Sequence, residues 1–431
     1  MNILIMHRIP YCKINYHLGI DHKRHNVIYI GLEKHIAALP VHIQCTTILR
    51  PGVGGAADEV LDALRSRKLH IDRLICCSEF EMLDAAKVRE SLGIAGTSVN
   101  TILKLRDKLR VKQLLARADI RVPRTMGLAD FKRTMHVDWE GKVMIKPLGN
   151  TASTDMKIFA DPEALRESLR LHKTGIERLN LAEPAIEQFA VEEYIAGDVL
   201  HYDGLIHEGK ILTMLGASYI GDCFSYASGQ PLGSVQRDIS VEDEIWVQKI
   251  ISTVNIEQGA FHLEAINDKA GKIFLEVANR PGGANVVETF RLATGLNLIS
   301  AELRLLVGES IRIKHRKKSR KFGWFIFPGH RLPAGTCRIT GHRSYLEHPS
   351  LIRYDMLTKS CSKPREFTYQ PTAVPLSGII SGSSSDEMSN WLRRMFKDVK
   401  ITANQPSTPS CGEQTIDKNS GATSNPHNLK Q

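Results

Sequence analysis

Aromatic residues make up only 6% of the 431 positions, and no recognisable nucleic-acid-binding motif accompanies the net charge of +10. Nucleic acid is therefore not an expected partner, and the positive balance points instead to anionic small molecules or an acidic protein. Apolar runs of about 18 residues are missing, so no membrane span is expected. The opening MNILIMHRIPY lacks the charged, apolar and small-residue succession of a secretory signal, which makes a cytoplasmic location the expectation. No CxxC pair occurs among the cysteines at 12, 45, 76, 77, 223, 337, 361 and 411, which disfavours zinc and favours buried reduced thiols. A GxGxxG dinucleotide fingerprint is also missing, and GVGGAADE at 52–59 is too loose to replace it. No Ser/His/Asp or Cys/His signature stands out either, so the expected chemistry needs no covalent nucleophile.

At this length, with 42% hydrophobic residues, the chain can build two to four packed domains. Its most informative stretch is GAFHLEAINDKAGKIFLEVANRPGGA, 259–284. GAFHLEAI and KIFLEVA alternate with a period of two around the turn-forming NDKAG, which predicts a hairpin. A turn near Ala270 would set Leu263 opposite Val277, Ala265 opposite Leu275, and Glu264 opposite Glu276. Two carboxylates directly opposite destabilise a strand pair unless a cation lies between them. Asn279, Arg280 and a glycine turn follow, a set that suits a metal-bound polyphosphate, and oxygen-only ligands favour Mg²⁺ or Mn²⁺.

Upstream, Asp107 is a plausible N-cap for a helix with Val111, Leu114, Leu115 and Ala118 at helical spacing, which puts Lys108 in its first turn. Lys146 ends the apolar strand Val143-Met144-Ile145, an unusual place for a charge unless an anion waits there. The loop 149–154 after it is small and hydroxylic, so its N–H groups can converge on phosphate oxygens. Asp198, His201 and Asp203 follow a further strand; alternation alone does not choose between ribose, Mg²⁺ and solvent for them. Residues 217–238 are rich in Gly, Ser and Tyr and read as a binding loop or lid, with Tyr219, Gln230 and Arg237 as substrate candidates.

Five motifs in order, DK, IKP with its loop, EEYI, HLE and LEVANRPGG, resemble the ATP-grasp superfamily of carboxylate–amine ligases, which includes L-amino acid ligases, carnosine synthase and biotin carboxylase. The likeness covers roughly residues 72–308. It implies an α/β fold of the α+β ATP-grasp kind. An N-terminal open parallel α/β domain (1–100) would precede a two-lobed core, with the phosphate loop in the first lobe (101–195) and the metal-binding hairpin in the second (196–310). A small C-terminal accessory domain (322–401) and a disordered tail (402–431) would follow.

The resemblance also implies site roles. Lys108, Lys146 and Ser153 would meet nucleotide phosphates, and the Glu192–Ile195 segment would hold adenine through the Glu193 carbonyl and the Ile195 N–H, with Asp198 and His201 nearby on the ATP side. Glu264, Glu276 and Asn279 would hold the metal, and Lys146, Arg280 and Asn279 would act on the reacting groups. The superfamily's commoner ending is ExNxR, whereas here the asparagine comes one residue later; on a regular strand Asn279 would point away from Glu276. The implied reaction uses ATP and Mg²⁺ to convert a carboxylate to an acylphosphate, which an amine then attacks. Its partners would be a small-molecule carboxylate and amine. The basic run KHRKKSRK (314–321) leaves docking of an acidic carrier protein open, alongside a solvated connector. A homodimer is compatible with the resemblance, and a non-catalytic ATP-binding protein is the alternative outside enzymes.

Overall fold

The computed structural model describes residues 1–149, 155–313, 320–333, 335–357 and 366–403. Ser153 with its neighbours 150–154, the basic residues 314–319 and the tail from 404 lie outside the described residues. Strands β1 (Asn2–Met6), β2 (Asn26–Gly31), β3 (Thr46–Leu49) and β4 (Arg73–Ile75) form a parallel sheet in the order β3-β2-β1-β4. Runs such as NILIM are apolar on both faces, as strands covered on both sides must be. Helices Ala56–Ser66 and Met82–Leu92 contribute Val60, Leu61, Leu64, Ala85 and Val88 to the core on one face. Ala85, Ala86 and Val88 are the buried positions of the second helix, and Leu92 is exposed beside the αL cap at Gly93.

An antiparallel sheet follows, of β5 (Thr125–Gly127), β6 (Val143–Pro147), β7 (Lys157–Phe159) and β8 (Phe189–Glu193), in the order β5-β8-β6-β7. The largest sheet is built from β9 (Asp198–His207), β10 (Lys210–Ile220), β11 (Leu232–Arg237), β12 (Gly259–Asp268) and β13 (Gly271–Ala278), then β14 (Lys321–Phe327) and, past β15 (Cys337–Thr340), β16 (Leu351–Met356) and β17 (Leu376–Gly382). Its order is β13-β12-β9-β10-β11-β14-β17-β16, so the C-terminal segment is hydrogen-bonded to the second lobe through β11 and β14. β15 pairs with β18 (Lys400–Ala403). Among the described residues no helix is long and apolar enough to cross a membrane.

Helix Lys108–Ala116 begins where the sequence predicts, with the Asp107 carboxylate accepting from the N–H groups of Leu109 and Arg110. Its Val111 and Leu115 join Val247, Ile250, Ile251 and Val254 of helix Val241–Val254 against Leu263, Ala265, Phe274 and Val277 of the hairpin. That packing fixes the hairpin's core face and leaves its other face to line a cavity.

The hairpin itself pairs Leu263 with Val277 and Glu264 with Glu276, as the alternation predicts. The next pair differs: Ala265 meets Phe274, and Leu275 is the extra residue of a β-bulge. The cause is burial. Phe274 and Val277 are both in the core, three positions apart, and a regular strand cannot point both inward. The stretch 217–238, read as a loop, is strand at both ends: β10 runs to Ile220 and β11 from Leu232 to Arg237, with the short helix Cys223–Ala227 between them. Its small residues fit close strand contact, since a Cβ at Gly233 would lie 2.9 Å from the Trp324 carbonyl oxygen.

Candidate active site

A cavity of about 740 Å³ opens between the two antiparallel sheets. Lys146 reaches it from the end of β6, Glu192 and Glu193 from the end of β8, and Glu264 and Glu276 from the bulged hairpin. Lys108 enters from the first turn of its helix and Arg280 from just beyond β13. The bulge has a direct effect here, because it lets Leu275 and Glu276, adjacent in sequence, both line the cavity.

Behind the lysine wall lies a charge cluster that sequence reading missed. Lys112, one turn after Lys108 and 2% exposed, donates to Glu192, which also accepts from Lys146. Burial, reinforced by the neighbouring Lys146, pulls the Lys112 ammonium down to about 8. Burial alone would raise Glu192, but Lys112 and Lys146 hold its carboxyl below the usual range. Two ammoniums facing one carboxylate leave a buried positive excess, and an anion at the cavity wall would offset it. The only signal for Lys112 in the sequence was a charge on the otherwise apolar face of an amphipathic helix.

The hairpin's charged face carries a second network. His201 bonds Asp203 through Nδ1 (2.6 Å) and Ser234 Oγ through Nε2 (2.7 Å). Asp203 Oδ1 meets His262 Nδ1 at 2.8 Å, His262 Nε2 approaches Glu264 Oε1 at 3.3 Å, and the Tyr219 hydroxyl donates to the same oxygen at 3.0 Å. Burial would lower His262, yet Asp203 and Glu264 raise it to about 10, so it is an imidazolium between two carboxylates. Burial likewise opposes ionisation of Glu264, and contact with His262 and Tyr219 keeps its carboxyl below the usual range. His201, Asp203 and His262 form a group of metal-ligating types, but all four ring nitrogens already have partners.

The remaining expected residues divide. Lys108 Nζ lies 3.7 Å from a Glu276 carboxylate oxygen. Arg280 lines the cavity while its Nε pairs with Glu79 of the N-terminal unit; burial would lower the guanidinium, but Glu79 raises it. Glu193 and Ile195 line the cavity, with the Glu193 carboxylate on Arg124. Asp198 is exposed and outside the lining, and His201 is buried with both nitrogens engaged, so neither takes the ATP-side place expected of it. The Asn279 Nδ2 donates to the carbonyls of Gln258 (3.1 Å) and Ala260 (2.9 Å), which ties it to the start of β12. These bonds anchor the amide nitrogen and not the Oδ1 that would ligate a metal, and Asn279 lines a smaller pocket together with Lys108, Glu276 and Arg280. Gln230 is exposed away from the cavity, and Arg237 pairs with Tyr202 and Asp243 on the core side.

No family model and no curated protein matches the chain by sequence. Solved structures do match it in shape. An L-amino acid ligase from Bacillus licheniformis superposes with a TM-score of 0.67 at 16% identity, covering 94% of this chain and 98% of that one. N5-carboxyaminoimidazole ribonucleotide synthetase from Thermotoga maritima gives 0.61 at 13% identity over 94% and 99%. The Staphylococcus aureus N5-carboxyaminoimidazole synthetase complexed with ADP gives 0.63 at 13% over 92% and 96%. The chain has the ATP-grasp ligase fold.

Within the ATP-grasp fold, the cavity lies between the lobe made by β5–β8 and the lobe made by β9–β13. The N-terminal unit adds Phe80 to its wall, and the C-terminal segment adds Trp324, Thr368, Tyr369 and Gln370. The donor set also fits a hard divalent cation. Glu264 and Glu276 face one another on one strand pair and line one cavity, and carboxylate oxygens are the ligands Mg²⁺ takes.

Proposed function

We propose that this protein is an ATP- and Mg²⁺-dependent ligase that activates a carboxylate, of an amino acid in our reading, as an acylphosphate and joins it to an amine, releasing ADP and phosphate. One observation carries the reading: a single cavity gathers Lys108, Lys146, Glu264, Glu276 and Arg280 from widely separated parts of the chain. The similarity in fold to an L-amino acid ligase supports it.

The roles follow from charge. Lys146, which with Lys112 makes the buried positive excess around Glu192, would neutralise transferring phosphate oxygens, and Lys108 would do so from the helix start. Glu193 and Ile195 offer backbone groups at the edge of β8 for the base of ATP. Glu264 and Glu276 would hold the metal, which supplies charge neutralisation of the polyphosphate when bound. The network from His201 to Tyr219 fixes the Glu264 carboxylate in direction, and Arg280 would stabilise charge on the acylphosphate side. A carboxylate oxygen forms a bond to the γ-phosphorus as the bond to ADP breaks. The amine then bonds to the acyl carbon, its proton leaves, and phosphate departs with the former carboxylate oxygen.

Phosphate and ADP release from the purified protein with ATP, Mg²⁺ and pooled amino acids tests this. Release that requires the pool and is lost in Glu276→Ala is expected; pool-independent release, or a Glu276→Ala variant as fast as the parent, would contradict it.

A further inference from the structure

The cavity has an apolar stretch on each side of its charged middle. Met144, Ile158, Ile195 and Leu275 line the side next to the end of β8. On the other side stand Tyr219, Cys223, Leu232, Trp324 and Tyr369, drawn from the large sheet and the C-terminal segment. Resting on the ligase reading above, we propose that this second side is a pocket for an uncharged, apolar side chain, aliphatic or aromatic, of one of the two molecules joined.

Three observations support the assignment. The wall is rigid: Leu232 and Trp324 are 1% and 2% exposed and pack with Tyr226, Val286, Ile326 and Ile379 in one cluster. Tyr369 stacks on Tyr226 at 4.9 Å between ring centres, and Tyr226 is itself anchored by its hydroxyl to the Thr368 carbonyl at 2.6 Å. This buried backing holds the partly exposed rings of Tyr219 and Tyr369, which present apolar area without ordering cost.

The wall also begins at the reacting centre. The Tyr219 ring lies 6.2 Å from that of Trp324 while its hydroxyl donates to Glu264 Oε1 at 3.0 Å. A molecule held at Glu264 and Arg280 would therefore project its side chain along this wall.

Finally, the described residues on this side offer no free counter-charge. Among the described residues, the basic side chains lining the cavity are Lys108, Lys146, Arg280 and His262, all in its charged middle, with His262 already held between Asp203 and Glu264. Asp222 is the acid on this side, and its two oxygens already accept from the Ser225 N–H and hydroxyl, each at 2.7 Å. Burial, with Glu264 nearby, pushes the Cys223 thiol up. A charged side chain entering here would lose its hydration and gain no partner.

The test is amino-acid-dependent phosphate release by the full chain with ATP and Mg²⁺, one amino acid at a time, with the product masses recorded. Leu, Met or Phe should support release at least about tenfold faster than Asp, Glu, Lys or Arg at equal concentration, and apolar residues should appear in the product. Cys223→Phe, which fills the pocket, should cut that release by about tenfold or more while the affinity for a non-hydrolysable ATP analogue with Mg²⁺ stays within about twofold. Tyr369→Ala, which enlarges the pocket, should shift the preference toward larger rings with the same analogue affinity. Preference for charged side chains, or variants that leave the substrate profile unchanged, would overturn the pocket and leave the ligase reading standing. No release with any amino acid, despite analogue binding, would overturn the ligase reading and this inference with it.

Discussion

Glu192 is the residue on which the lysine wall depends. Its carboxylate faces both Lys112 and Lys146, so Glu192→Gln leaves two buried ammoniums without a counter-charge. The expected loss is about 3–5 kcal/mol in urea unfolding, the usual cost of stranding a buried charge. Lys112→Met leaves the balanced pair Lys146–Glu192 and should cost clearly less; equal losses would show that the cluster carries no positive excess. Glu302 gives a pH test away from the cavity. Burial raises its carboxyl, ordinarily near 4.5, to about 7, opposed only by the Ala260 N–H. Its folded value exceeds its unfolded one, so the folded protein holds the extra proton and stability falls as pH rises from 4.5 to 7. Glu302→Gln should remove roughly 3 kcal/mol of that fall while its side-chain oxygen still accepts from Ala260. Urea unfolding of both proteins across this window checks it, and parallel pH curves would contradict it.

At the scale of elements, the hairpin β12–β13 sets the site, and Asn279 latches its end. Asn279→Ala removes two hydrogen bonds to carbonyls at the start of β12 and should cost about 1–3 kcal/mol in urea, with Mg²⁺ affinity in the presence of an ATP analogue changed less than about twofold. A tenfold loss of Mg²⁺ affinity with stability intact would instead make Asn279 a metal ligand through its Oδ1. The pairing of Glu264 with Glu276 was legible because strand alternation has a fixed period and the turn residues mark its centre. The bulge at Leu275 was not, since only the burial of both Phe274 and Val277 demands it, and burial is a property of the partner helices. Tyr219, Gln230 and Arg237 were singled out by the same composition; Tyr219 lines the cavity, Arg237 points to the other face because strands alternate their side chains between two environments, and Gln230 lies in the turn before β11. Lys112 was hidden for a related reason: a helical pattern names the inward face but not a buried anion across from it. The order of the motifs along the chain carried the fold further than any one of them.

At the scale of the whole molecule, the cavity is a joint product of units distant in sequence. The turn after the N-terminal sheet's β4 supplies Glu79 to Arg280, helix Lys108–Ala116 and the two antiparallel lobes supply the lysines and carboxylates, and the C-terminal strands extend the second lobe's sheet to close one wall. Charge is concentrated in the middle of that cavity and apolar surface on either side, an arrangement suited to a polyphosphate meeting a carboxylate. The central claim is that a substrate carboxylate oxygen attacks phosphorus, and oxygen-isotope transfer measures that directly. Once pooled amino acids have been split to find a substrate, that substrate labelled with ¹⁸O in its carboxyl group is turned over with ATP and Mg²⁺, and the released phosphate is weighed by mass spectrometry. The account predicts one labelled oxygen in each phosphate released. Unlabelled phosphate would contradict it, because phosphorus would then have been attacked by water or the carboxylate activated by another route.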